Sequence, residues 1–224
     1  MSNVVFMGMG EPLANYGPVW ESVERLHGDL GMSARQITVS TVGVVPGMRR
    51  LAQESLPVTL AVSLHAADDE LRDTLVPLNR RYPIADVLDA AAEVAGARGR
   101  RVSFEYAVIH GVNDRIDQAV ALGRLLAAWP GAGGAHVNLI PLNPTTGFSG
   151  RAPTPGRVSA FAEAVRRPGV TVTIRRNRGV DIDAACGQLR ARTRDEGMPG
   201  PAPASPPEDG AVTIPLPKPA RMAP

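Results

Sequence analysis

Four apolar stretches of this chain end in residues that can do chemistry: Gly10-Glu11, Ser40-Thr41, Ser63-Leu64-His65 and Leu142-Asn143-Pro144. If those stretches are parallel strands, their carboxyl ends converge on one rim. The rim then gathers a carboxylate, hydroxyls, an imidazole and an amide around one pocket. Such a set suits a polar, zwitterionic small molecule, with Glu11 for an ammonium and Ser or Asn for hydroxyl or carboxylate groups. Taken singly, each residue has a plainer use: a serine or asparagine after a strand caps a turn, and a lone histidine is commonly a satisfied core group. A second constellation lies in RRNRGVDIDAACGQL, residues 175–189. Arg175, Arg176 and Arg178 form a basic cluster, and Asp181 or Asp183 can cap a helix with Cys186 in its first turn. A helix start beside arginines lowers a thiol pKa, so Cys186 is either a nucleophile near a phosphate-binding patch or a small buried packing residue.

The elements that must position these residues follow from period and punctuation. Short β-rich runs at residues 3–7, 36–40, 57–64, 101–109, 135–140 and 170–175 alternate with helix-compatible segments at 18–30, 46–53, 84–97, 114–128 and 157–167. Pro46 suits a first helical turn, Asn113 or Asp114 a helix cap, and Gly96 or Gly99 a helix exit. Alternation of this kind predicts parallel βαβ units and an α/β fold, with runs such as VTLAVSL apolar enough for burial on both faces. Six strands are fewer than a complete eightfold barrel requires.

A chain of 224 residues, 44% of them hydrophobic, can bury one domain's core. Its start lacks a basic n-region and its apolar run is too short to span a bilayer, which predicts a cytoplasmic protein with no membrane partner. Cys186 is the single cysteine, so the chain alone builds neither a disulfide nor a thiolate cluster. The four histidines show no metal-ligand spacing. Net charge is +2, and Lys218 is the one lysine among 24 basic residues. Arginine forks onto phosphate and stacks on bases, so this balance permits nucleic-acid binding without demanding it. From about residue 195 the chain becomes proline-rich and aperiodic, which predicts a domain at 1–194 and a disordered tail at 195–224.

Six motifs in order, GMGEP at 8–12, TVSTVGVVP at 38–46, VSLHAADDELRDTLVPLNRRYPI at 62–84, VSFEYAVIHGVND at 102–114, NLIPLNP at 138–144 and RGVDIDAACGQL at 178–189, resemble the radical S-adenosylmethionine rRNA adenine-C2 methyltransferase family. The resemblance runs over residues 3–190. It implies a partial (βα)6 barrel and methylation of an adenine in 23S rRNA, with tRNA as a second substrate in some bacteria and an external electron donor such as flavodoxin. Carried over by motif, Gly10, Glu11, Ser40, Ser63, Leu64, His65 and Asn143 match S-adenosylmethionine-binding positions. Cys186 matches the cysteine that carries the methyl group, and Arg175, Arg176 and Arg178 are the candidate RNA contacts.

The family also binds a 4Fe–4S cluster through a C-x-x-x-C-x-x-C loop and uses a second catalytic cysteine, and neither occurs here. The expectation is therefore a C-terminal part of such an enzyme, a barrel lacking its first βα unit and N-terminal domain, with no metal ligands of its own and inactive alone. Two alternatives stay open: a C8-directed relative, and a non-catalytic remnant that binds RNA or cofactor through the arginine cluster.

Overall fold

A computed structural model of the chain describes residues 3–7, 10–142 and 150–175. Asn143, Arg176, Arg178, Cys186 and the tail at 195–224 lie outside the described residues. Six strands, β1 (Val4–Phe6), β2 (Ile37–Thr41), β3 (Thr59–Ser63), β4 (Val102–Val108), β5 (Ala135–Pro141) and β6 (Thr171–Ile174), form one parallel sheet in sequential order. Helices α1 (Tyr16–Gly28), α2 (Val45–Gln53), α3 (Asp69–Leu75), α4 (Ile84–Arg98), α5 (Ile116–Ala127) and α6 (Pro155–Arg166) fill the connections. The registers Ser40↔Ala61↔Ser103↔His136 and Ser63↔Glu105↔Asn138↔Thr173 place side chains in layers across the sheet. One cavity of about 390 Å³ touches Val5 and Met7 at one end of the sheet and Arg175 at the other, so the sheet curls into an open half-barrel.

Period two explains which face holds the core. Ile37, Val39, Leu60, Val62, Phe104, Tyr106, Val137 and Leu139 point outward and are buried with the helices. There Phe104 meets Trp129 edge-on at 5.1 Å, and the Trp129 indole N–H donates to the Leu88 carbonyl. Burying each such aromatic contributes roughly 1.5–3 kcal/mol. The inner face carries Thr38, Thr59, Ala61, Ser103, Glu105, His136 and Asn138, and it lines the cavity. Burial on both faces, expected for VTLAVSL, therefore holds only in part: Leu60 and Val62 pack outward, while Thr59 and Ser63 stay partly open on the hollow side.

Several boundaries behave as their residues predict. Pro46 lies in the first turn of α2, and Gly99 ends α4 in the left-handed conformation. Asn113 and Asp114 do not cap α5, whose cap is Arg115. Asn113 Oδ1 instead accepts from the Ile109 amide and Asp114 Oδ1 from the Gly111 amide, so both brace the loop after β4. Backbone donors in that tight loop lack ladder partners, and short acceptors satisfy them. Helix α3 within HAADDELRDTL is an element the periodicity missed. Asp68 caps it by accepting from the Leu71 amide.

Candidate functional site

The rim at the strands' carboxyl ends is built around Glu11. Following β1, Glu11 caps a short 3-10 turn at Pro12–Ala14, and its Oε1 accepts from the Leu13 amide at 3.0 Å. Its Oε2 accepts from the Val42 amide at 2.8 Å, just past β2. Burial pushes the carboxyl above the ordinary carboxylate range, while these two amides and the Thr41 hydroxyl pull it back. Thr41 Oγ1 also accepts from the amides of Gly43 and Val44, which shapes the loop behind Glu11. Gly10, at φ +146, has open space where a side chain would stand, so backbone there is approachable.

Three residues after β3 complete the rim. Ser63, on the inner face, stays partly exposed, whereas Leu64 is fully buried, its amide donating to the Glu105 carbonyl and its carbonyl accepting from Arg72 Nε, so Leu64 shapes the rim rather than reaching into it. His65 holds φ +63, a left-handed conformation costly for a residue with a Cβ. Its Nδ1 accepts from the Ala107 amide at 3.0 Å and its carbonyl accepts from Asn113 Nδ2 at 2.9 Å, so β4 and its loop fix the strained residue. Because Nδ1 accepts, the ring proton of neutral His65 sits on Nε2. Desolvation, with the Arg72 charge, pulls its pKa down to about 4. Ser40 is buried on the inner face, opposite Ala61 in register. Thus Gly10, Glu11, Ser40, Ser63, Leu64 and His65 come together along three adjacent strands.

Below the rim lies a polar ring that the sequence reading missed. Ser103 Oγ donates to Glu105 Oε1 at 2.7 Å and Asn138 Nδ2 donates to Glu105 Oε2 at 2.7 Å. His136 Nδ1 lies 3.3 Å from Ser103 Oγ, its Nε2 lies 3.1 Å from Thr173 Oγ1, and Thr173 Oγ1 lies 3.1 Å from Asn138 Oδ1. Burial and then Arg101 lower the His136 pKa. The available signal was polar residues at every second position of RVSFE and HVN, which marks a face meant to stay wet. Arg175 lines the same cavity from the end of β6. Among the described residues no group of three His, Cys, Asp or Glu side chains is close enough to hold a metal ion, and no helix is long and apolar enough to cross a membrane.

The histidine shifts make stability pH-dependent in one direction. Below about pH 6.5 the unfolded chain takes up a proton on His65 that the folded chain refuses until about pH 4, so stability falls as pH falls through that window. The slope is at most about 1.4 kcal/mol per pH unit for each such histidine. Melting temperatures measured from pH 7 to 4.5 should fall less steeply for His65→Asn, since asparagine tolerates the left-handed backbone and does not titrate. Parallel curves for the two proteins would show that His65 does not resist protonation.

The sequence profile of the radical SAM superfamily matches residues 1–122, more than half of the chain. A protein of Frankia alni named "Probable dual-specificity RNA methyltransferase RlmN" is 60% identical over 195 residues, covering 85% of this chain and 46% of its own length. A protein of the same name in Acidothermus cellulolyticus is 52% identical over 219 residues, covering 95% of this chain and 51% of its own. The chain thus spans about half the length of the curated relatives it matches. Among solved structures, a radical SAM methyltransferase from Sphaerobacter thermophilus superposes with a TM-score of 0.79 at 49% identity, over 84% of this chain and 55% of that one. A domain of the pyruvate-formate lyase-activating enzyme from Bacteroides vulgatus, at 20% identity and TM-score 0.59, covers 79% of this chain and 100% of its own, a likeness of fold.

Proposed function

The chain belongs to the radical SAM superfamily, and on that premise we propose that its rim binds S-adenosylmethionine and serves methylation of an adenine in RNA. The observation that carries this reading is Glu11, a carboxylate just past the carboxyl end of β1, clamped by the Leu13 and Val42 amides. The residues present fit the cofactor. Glu11 receives its ammonium, Ser40 and Ser63 offer hydroxyls on the inner face, His65 offers an Nε2–H donor to a carboxylate or ribose oxygen, and Gly10 leaves backbone approachable. Asn143, which follows β5, joins the set in sequence. When bound, S-adenosylmethionine supplies an activated methyl group. Neutral His65 cannot repel the sulfonium, and the buried outer face keeps the rim rigid.

The finer reading is C2 of an adenine in 23S rRNA, with tRNA as a second substrate, in the cytoplasm. It takes Cys186 as methyl carrier and Arg175, Arg176 and Arg178 as phosphate contacts. The shared name of the relatives, a dual-specificity RNA methyltransferase, supports it. A 4Fe–4S cluster does not fit the residues of this chain, because one cysteine cannot supply the several thiolates that hold one.

Equilibrium dialysis tests the proposal. One S-adenosylmethionine should bind per chain, displaced by S-adenosylhomocysteine and not by ATP, whose triphosphate would face Glu11. Absence of saturable binding would remove the reading.

A further inference from the structure

We infer that Arg72 is a positioning residue that locks the two halves of the rim, the Glu11 side and the His65 side, into one fixed geometry. Its guanidinium enters from α3, is fully buried, and makes four hydrogen bonds. Nε donates to the Leu64 carbonyl at 3.0 Å, Nη1 to Asn79 Oδ1 at 2.7 Å, and Nη2 to the carbonyls of Val42 at 2.7 Å and Ser63 at 3.1 Å. Val42 is the residue whose amide clamps Glu11, and Ser63 and Leu64 lead directly into His65. One planar cation therefore ties the end of β2 to the end of β3.

The chemistry of the bonds argues for this role over simple packing. Past the last ladder bond, parallel strands leave carbonyls that converge and repel one another. Arginine presents five donors in a rigid fork and can satisfy several at set angles, whereas lysine offers three donors from a point charge. No carboxylate lies within ion-pairing distance of Arg72 among the described residues. Asp69 and Asp73 favour its charge through space without touching it, and are joined to it by Asn79, whose Nδ2 donates to Asp69 Oδ1 at 2.9 Å and Asp73 Oδ1 at 2.7 Å. A fully buried cation without a direct counter-ion is a costly way to fill space, and an apolar side chain would serve packing better. The charge also acts on the site, because after burial it is what disfavours a proton on His65. Space is adjusted around it: at Gly43, φ +107, a Cβ would stand 2.7 Å from Val87 and 3.4 Å from Arg72 Nη2.

The ligand half of this inference rests on the S-adenosylmethionine reading, and the structural half does not. Hydrogen exchange on the full chain reads three rim amides, those of Val42, Leu64 and Ala107, against the sheet amides of Leu60 and Phe104. In Arg72→Lys the rim amides should exchange roughly tenfold faster or more while the sheet amides hold, and S-adenosylmethionine affinity should fall roughly tenfold or more. In Arg72→Met the titration midpoint of His65, followed by its ring nitrogen shifts, should also rise from about 4; Arg72→Lys, which keeps the charge, should leave it low. If Arg72→Lys does not fold, Asn79→Ala, which frees one arm of the fork, should speed the same three amides selectively. Unchanged rim exchange, or a uniform loss over rim and sheet, overturns the positioning role. If native protein binds no S-adenosylmethionine, the proposed function fails, while the exchange and nitrogen-shift results still decide the role of Arg72.

Discussion

Glu11→Gln lowers S-adenosylmethionine affinity by roughly 10- to 100-fold while leaving the melting temperature within a few degrees of the native chain. The loss comes from two sources. A glutamine leaves the ligand's ammonium without a counter-charge at a partly buried position. It also has one acceptor oxygen for two donors, the Leu13 and Val42 amides that now both meet the carboxylate. Stability changes little because burial already disfavours the charged form of Glu11, so removing the charge relieves a cost while weakening the cap on Pro12–Ala14. For the native chain, affinity should also decline on acidification, as the carboxyl takes up its proton at a higher pH than an ordinary glutamate. Unchanged affinity in the variant would reduce Glu11 to a helix cap.

The second large effect is an all-or-none one. Anaerobic reconstitution of the chain alone with iron and sulfide should leave less than one iron per chain after desalting, with no 5′-deoxyadenosine formed on adding a strong reductant. Cys186 is the chain's only thiol, a cluster is held by several thiolates, and the described residues contain no alternative group of three ligands. A polypeptide carrying a three-cysteine loop, added in the same experiment, should raise both readings. Four bound irons with turnover in the chain alone would sink this expectation and require ligands of another kind.

The strands and most helices were legible in the sequence because the outer face of the sheet is apolar at every second residue and the helices meet it with their own apolar stripes. The placement of six candidate residues, Gly10, Glu11, Ser40 and Ser63 to His65, was legible because strand ends in a parallel sheet fall on one rim. The hollow inner face was harder to see. Ala61 counts as apolar in VTLAVSL, yet what it contributes is room, and Glu105 in SFEY looks like a solvated charge although it is buried in a ring of partners. Arg72 was missed for a related reason. In DELRDTL it sits among acidic residues and looks like one more surface charge, and nothing local reveals that its partners are the carbonyls of residues 8 to 30 positions away. Asn113 and Asp114 misled because a capping residue and a loop brace use the same side-chain oxygen, and only tertiary structure decides which amide it meets.

The ring under the rim has an arithmetic of its own. Its contacts join Ser103, Glu105, Asn138, Thr173 and His136 in a closed circuit of five. Each hydroxyl contributes one proton, the Asn138 amide contributes one towards Glu105, and a neutral imidazole contributes one. Four protons must therefore serve five links. With Ser103 committed to the carboxylate and His136 Nδ1 to Ser103, the Thr173 hydroxyl must choose between His136 Nε2 and Asn138 Oδ1. The circuit behaves like a loop of ice with one defect, degenerate by construction, and because burial and the Arg101 charge disfavour a second proton on His136, either His136 Nε2 or Asn138 Oδ1 is left over as an acceptor on the hollow side of the sheet.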